Sequence, residues 1–113
     1  MEPASTLARG ATYNLGPVGQ VPPGEGRLFE IGPDPHPVAV FRTRTGAFYA
    51  TQAQCPHRGG PLADGTTGGT TLVCPLHGCR FDVATGGPLD SDCGVLKTYP
   101  VNVSAGGELI LTL

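Results

Sequence analysis

The sequence predicts a single all-β domain, and three observations carry that prediction. No long segment repeats apolar residues at the helical period. Glycine and proline are abundant, at 18 and 12 of 113 residues, which suits short strands joined by tight turns. Between those turns lie brief runs of β-branched and aromatic residues, the composition of strands. A chain of 113 residues buries one core and is too short for two.

The elements follow in order. Residues 1–9 are polar and expected to fray. Residues 11–15 read as a first strand, and the proline- and glycine-rich stretch 17–26 reads as a loop. Residues 27–31 form a second strand, ended by the turn Gly32-Pro33-Asp34-Pro35-His36-Pro37. Residues 38–43 and 47–51 flank Arg44-Thr45-Gly46 as a hairpin. Residues 80–83 run into a turn at Ala84-Thr85-Gly86-Gly87, where Asp82, Thr85 and Gly86 read as turn chemistry rather than acid–base catalysis. Residues 98–103 and 108–112 make a closing hairpin around Ala105-Gly106-Gly107.

Charge and hydropathy narrow the function. A net charge of −2 gives no electrostatic basis for binding nucleic acid or an anionic membrane. No stretch approaches the roughly 20 apolar residues that span a bilayer. Residues 1–14 lack the basic and then apolar regions of a signal peptide. The expectation is a soluble, cytoplasmic protein. Arg58 and Arg80 could steer an acidic partner, but Asp64, Asp82, Asp90 and Asp92 are close in sequence, so a mixed, solvated surface is expected there. His36, between prolines in a turn, reads as exposed.

The chemistry is concentrated in two short segments. Cys55-Pro56-His57 is followed, after sixteen residues, by Cys74-Pro75-Leu76-His77. Within each pair the Cys and His are too close in sequence to occupy opposite corners of a core, so both loops face one inorganic centre. Two thiolates and two imidazoles can close a tetrahedral zinc site. They can equally hold a two-iron, two-sulfide cluster, with the thiolates on one iron and the imidazoles on the other. Zinc fingers usually pair like ligands, Cys with Cys and His with His, whereas each pair here is mixed.

The segments Cys55-Pro56-His57-Arg58-Gly59-Gly60-Pro61-Leu62 and Cys74-Pro75-Leu76-His77-Gly78-Cys79-Arg80-Phe81-Asp82 resemble the two cluster-binding loops of Rieske proteins, in particular the soluble Rieske-type ferredoxins. The resemblance extends from about residue 26 to the end of the sequence. It implies an antiparallel β-sandwich base, about 1–52 and 93–113, with a cluster-binding lobe inserted at about 53–92. It also implies one 2Fe-2S cluster per chain, held by Cys55, His57, Cys74 and His77, with the outer imidazole nitrogens facing solvent and a partner. Reduction adds negative charge and should raise the imidazole pKa values, so the potential is expected to fall as pH rises. Gly59, Gly60, Pro61 and Gly78 are expected either to bring backbone N–H groups close to the sulfides or simply to shape turns.

The departures from the high-potential branch carry information too. That branch joins its loops by a disulfide at the positions of Gly60 and Leu76, and places a Ser and a Tyr hydroxyl where this chain has Cys79 and Phe81. With fewer donors to the sulfides, the resemblance implies a potential toward the low end of the Rieske span, roughly −150 to +300 mV. Alignment with the family puts Cys93 in the loop that shields the cluster. Cys79 and Cys93 read first as two unrelated reduced thiols, as a cytosolic setting favours. The alternative is a disulfide tethering loop two to the shielding loop.

The chain has no room for a substrate domain, no dinucleotide fingerprint, and only His36 left for a mononuclear iron site. The resemblance therefore implies an electron-transfer component rather than an enzyme. The first reading is a one-electron carrier between a flavin reductase and a terminal Rieske non-haem iron oxygenase. The second is the small subunit of an assimilatory NADH-dependent nitrite reductase, working with the large subunit of that enzyme. The third is a zinc-bound structural module without redox activity.

Overall fold

The computed structural model describes residues 12–32, 36–56, 61–75, 78–89 and 94–113, with backbone alone for 66–68. The described strands are β1 (Thr12–Pro17), β2 (Gly26–Ile31), β3 (His36–Arg42), β4 (Phe48–Gln52) and β5 (Thr66–Gly68). They continue as β6 (Thr71–Val73), β7 (Arg80–Asp82), β8 (Thr98–Tyr99), β9 (Val101–Val103) and β10 (Glu108–Thr112). Among the described residues the only helical turns are two 3-10 turns, Val18–Gln20 and Leu62–Asp64. None is long and apolar enough to cross a membrane. The all-β expectation holds.

All strand pairs are antiparallel, in three sheets ordered β1-β10-β9, β2-β3-β4-β8 and β5-β6-β7. Strand β3 explains how the layers meet. Val38, Ala39, Val40 and Phe41 are all fully buried, the pattern of a strand covered on both faces. Successive side chains point to opposite faces. Accordingly, Val38 and Val40 pack with Leu109 and Leu111 of β10 in one core. Ala39 and Phe41 pack in a second core, which contains the cysteines. One strand is thus the wall between the base and the candidate site.

Two departures from the sequence reading have physical causes. The expected strand 98–103 is split at Pro100. β8 pairs with β4 in the four-stranded sheet, whereas β9 pairs with β10 in the three-stranded one. Proline has no N–H to continue a ladder, but its carbonyl still accepts from the Thr112 N–H at 2.9 Å. The chain changes sheets at that residue. The hairpin of β5 and β6, in register from Thr66 opposite Val73, was not anticipated; three-residue strands are too short to show a period of two.

Candidate metal centre

Loop one leaves β4 after Gln52. Its neck is pinched by an isolated bridge between Gln54 and Pro61 and by the Leu62 N–H donating to the Ala53 carbonyl at 3.0 Å. Leu62, fully buried, plugs the neck from the 3-10 turn. Loop two is the connection of the β6–β7 hairpin, in which Leu72 faces Phe81 across the strands. Both side chains are fully buried. At the base of that loop the Cys74 N–H donates to the Cys79 carbonyl at 2.8 Å, and the Gly78 N–H to the Cys74 carbonyl at 3.1 Å. Of the two readings of Gly78, the turn is the one seen: its φ is +71° and its amide is engaged by the Cys74 carbonyl.

Cys55 and Cys74 are 3% and 1% exposed and neither is in a disulfide. They sit in one core with Phe41, Leu62, Phe81 and Leu96. Two cysteine sulfurs, brought from separate short loops into one apolar core, are suitable soft donors for iron or zinc. His57 and His77 lie outside the described residues, as do Arg58, Gly59 and Gly60. The structure thus gathers the two sulfur donors of the expected set, and no group of three metal-binding side chains occurs among the described residues.

Cys79 corrects the first sequence reading. It is not a reduced thiol but disulfide-bonded, and it is buried in the same core as Cys55 and Cys74. With those two free, Cys93 is the one other cysteine in the sequence, and it lies outside the described residues.

His36 is a second correction. It is half-buried rather than simply exposed, and its Nε2 lies 3.2 Å from the Tyr99 hydroxyl, with the rings edge to face at 6.0 Å. Burial pushes the Tyr99 hydroxyl pKa above its ordinary value. The turn chemistry at Asp82 holds: its carboxylate accepts from the Ala84 N–H at 2.8 Å, and Thr85 Oγ1 accepts from the Gly87 N–H at 3.1 Å. Asp64 and Arg80 are exposed, whereas Asp90 and Asp92 lie outside the described residues.

The resemblance implied a shielding loop at Cys93, but the sequence reading named none of residues 94–97 that follow it. Leu96 is 2% exposed and packs in the core with both free cysteines. Its N–H donates to the Gly86 carbonyl at 2.8 Å. Gly94 approaches loop one so closely that an added Cβ would stand 3.2 Å from Pro56 Cβ. This segment packs on the core that holds the cysteines.

Residues 11–100 match the Rieske 2Fe-2S domain. Ferredoxin CarAc from Metapseudomonas resinovorans is 42% identical over 62% of this chain, which spans just under two thirds (65%) of that relative. The biphenyl dioxygenase ferredoxin subunit of Pseudomonas sp. strain KKS102 is 36% identical over 82% of this chain and 84% of its own length. Among solved structures, a chain from the complex of reduced oxygenase and oxidized ferredoxin in carbazole 1,9a-dioxygenase superposes with a TM-score of 0.77 at 32% identity, covering 88% of this chain and all of that one. A chain named as an NADH-dependent nitrite reductase small subunit from Mycobacterium tuberculosis reaches 0.83 at 21% identity, over 92% and 96% of the two chains, a likeness of fold alone. Two buried free cysteines on paired loops, together with a family match over most of the sequence, lead to one assignment: the chain belongs to the Rieske 2Fe-2S domain family.

Proposed function

We propose that this protein is a one-electron carrier in the cytoplasm, passing electrons from a flavin reductase to a Rieske non-haem iron oxygenase. The observation that carries the reading is the match, over the whole of its length, to a ferredoxin-sized chain from a complex of oxygenase and ferredoxin. The 2Fe-2S cluster supplies the redox chemistry, accepting and releasing one electron. In this reading Cys55 and Cys74 ligate one iron and His57 and His77 the other. The chain divides into a base at about 1–52 and 93–113 and a lobe at about 53–92.

The protein's own residues have three tasks. The necks of the two loops hold the sulfur ligands against β3. Leu62, Leu96 and Phe81 keep water from the buried thiolates. The same apolar packing sets the electrostatics, because Phe81 presents no hydroxyl to the site. Added negative charge is poorly solvated in such surroundings, which supports a potential toward the low end of the Rieske span.

Electron paramagnetic resonance of the dithionite-reduced protein, with iron and sulfide counted on the same sample, tests the assignment. The expected result is a rhombic signal with average g below about 2. Adding a flavin reductase, NADH and an aromatic-ring oxygenase should then give turnover that depends on this protein. A silent spectrum with one zinc per chain would overturn the reading. The nitrite reductase alternative rests on fold likeness alone and predicts instead stable co-purification with a large sirohaem subunit.

A further inference from the structure

Gln52 ends β4, three residues before Cys55, and all of its polar groups near the site are used. Its backbone N–H donates to the Lys97 carbonyl at 2.9 Å. Its side-chain Oε1 accepts from the Lys97 N–H at 2.8 Å. Its Nε2 donates to the Gln54 carbonyl at 2.7 Å. The β4–β8 ladder proper pairs Ala50 with Tyr99 and Thr51 with Thr98. Beyond it the strand turns away toward loop one, and the carboxamide takes over as a peptide group would, with one acceptor and one donor.

Both bonds lead to the metal centre. The Gln54 carbonyl and the Cys55 N–H belong to one planar peptide, so holding the carbonyl orients the unit from which Cys55 hangs. Lys97 follows Leu96, which packs in the core with Cys55 and Cys74. Gln52 therefore fastens the chain entering loop one to the segment that covers it. The same segment is held on its other side by Gly86, whose carbonyl accepts from Leu96.

We propose that Gln52 is a positioning residue for the metal centre: its carboxamide holds the Cys55 peptide in register with residues 94–97 and so governs how firmly the cluster is retained. It acts through Gln54 and Lys97, to which both hydrogen bonds of its carboxamide run. The inference rests on the reading of Cys55 as a cluster ligand.

The test uses the cluster-loaded full chain in three variants. Gln52→Ala removes both side-chain bonds. Gln52→Glu keeps an acceptor for the Lys97 N–H but sets a carboxylate oxygen against the Gln54 carbonyl. Asn14→Ala is the control, removing two side-chain bonds of similar length at the three-stranded sheet: Asn14 Nδ2 donating to Glu108 Oε1 at 2.8 Å and Asn14 Oδ1 accepting from the Gly16 N–H at 2.8 Å. Three quantities are read: bleaching of the visible absorbance under excess iron chelator, the g-values of the reduced protein, and hydrogen exchange at the Lys97 amide.

Losing one such bond should change a local equilibrium by about two- to twelvefold. Gln52→Ala, which removes both bonds, is expected to speed Lys97 exchange within that range, to speed cluster loss by at least as much, and to shift the g-values. Gln52→Glu should speed cluster loss while leaving Lys97 protected, and Asn14→Ala should change none of the three. Cluster loss at the wild-type rate in Gln52→Glu overturns the proposal, as does equal acceleration in Asn14→Ala. If Gln52→Ala fails to fold, the near-isosteric Gln52→Glu decides the matter. A wild-type protein without a Rieske signal would instead defeat the ligand reading.

Discussion

Alanine at Gly86 should destabilise the protein through one contact whose size can be isolated. Gly86 has φ +82°, a conformation that costs a residue with a Cβ about 1–2 kcal/mol. An ideal Cβ there would fall inside the contact radius of the Leu96 carbonyl oxygen and 3.1 Å from Thr98 Cγ2. Residues 94–97 would have to move away, losing the Leu96 N–H bond to the Gly86 carbonyl. That adds about 1 kcal/mol for the bond and about 1–3 kcal/mol for overpacking. The sum is about 3–6 kcal/mol, a large part of the 5–15 kcal/mol typical of a domain.

Gly107 supplies the internal standard. Its φ is +78°, yet nothing lies within 4 Å of an added Cβ, so Gly107→Ala should cost only the backbone part, about 1–2 kcal/mol. Urea unfolding followed by circular dichroism reads the difference. With a slope of about 2 kcal/mol per molar, the two midpoints should lie about 1–2 M apart. The visible absorbance of Gly86→Ala should be lost first, because Leu96 backs the two free cysteines. Midpoints coinciding within about 0.3 M would show that residues 94–97 yield without cost, and the account of a held covering segment would fail.

Two further outcomes are expected. Burial holds the Tyr99 hydroxyl protonated past its ordinary 10.0, so above that pH the native state binds more protons than the unfolded chain. The associated stability is complete below the unfolded pKa and is lost as pH rises through the native one. Thermal melts between about pH 8 and 11 should therefore fall less steeply for Tyr99→Phe than for wild type; parallel curves would contradict this. Separately, alkylation of the denatured, metal-stripped chain should label two cysteines before reduction and four after it, because Cys55 and Cys74 are free and Cys79 is bonded. Four labels before reduction would remove the disulfide.

Much of this architecture was legible in the sequence, for identifiable reasons. The hairpin at Arg44-Thr45-Gly46 was visible because its flanking runs are long enough to show strand composition, and it forms as β3 and β4. The cysteine positions were visible because metal ligation needs particular elements at short spacing. Tertiary relationships were harder to see. Residues 98–103 read as one strand, and nothing local showed that the halves on either side of Pro100 belong to different sheets. His36 looked exposed because its partner, Tyr99, is 63 residues away. The state of Cys79 depends on which thiols become neighbours, which no local pattern encodes. Gln52 resembled any polar residue at a strand end, since its task is set by a bond to Lys97.

The pairing of β1 with β10, Thr12 opposite Thr112, has a consequence for how the protein is made. Both cysteine loops are translated well before the final strand that completes the sandwich. At about 5–20 residues per second, the interval between Cys79 and Thr112 lasts about two to seven seconds. During that time Val38 and Val40 lack Leu109 and Leu111 to pack against, and the wall behind the cysteines is covered on one face only. Long-range strand pairing of this kind is also slow to form. The wall behind the cysteines is therefore covered on both faces only once β10 has paired.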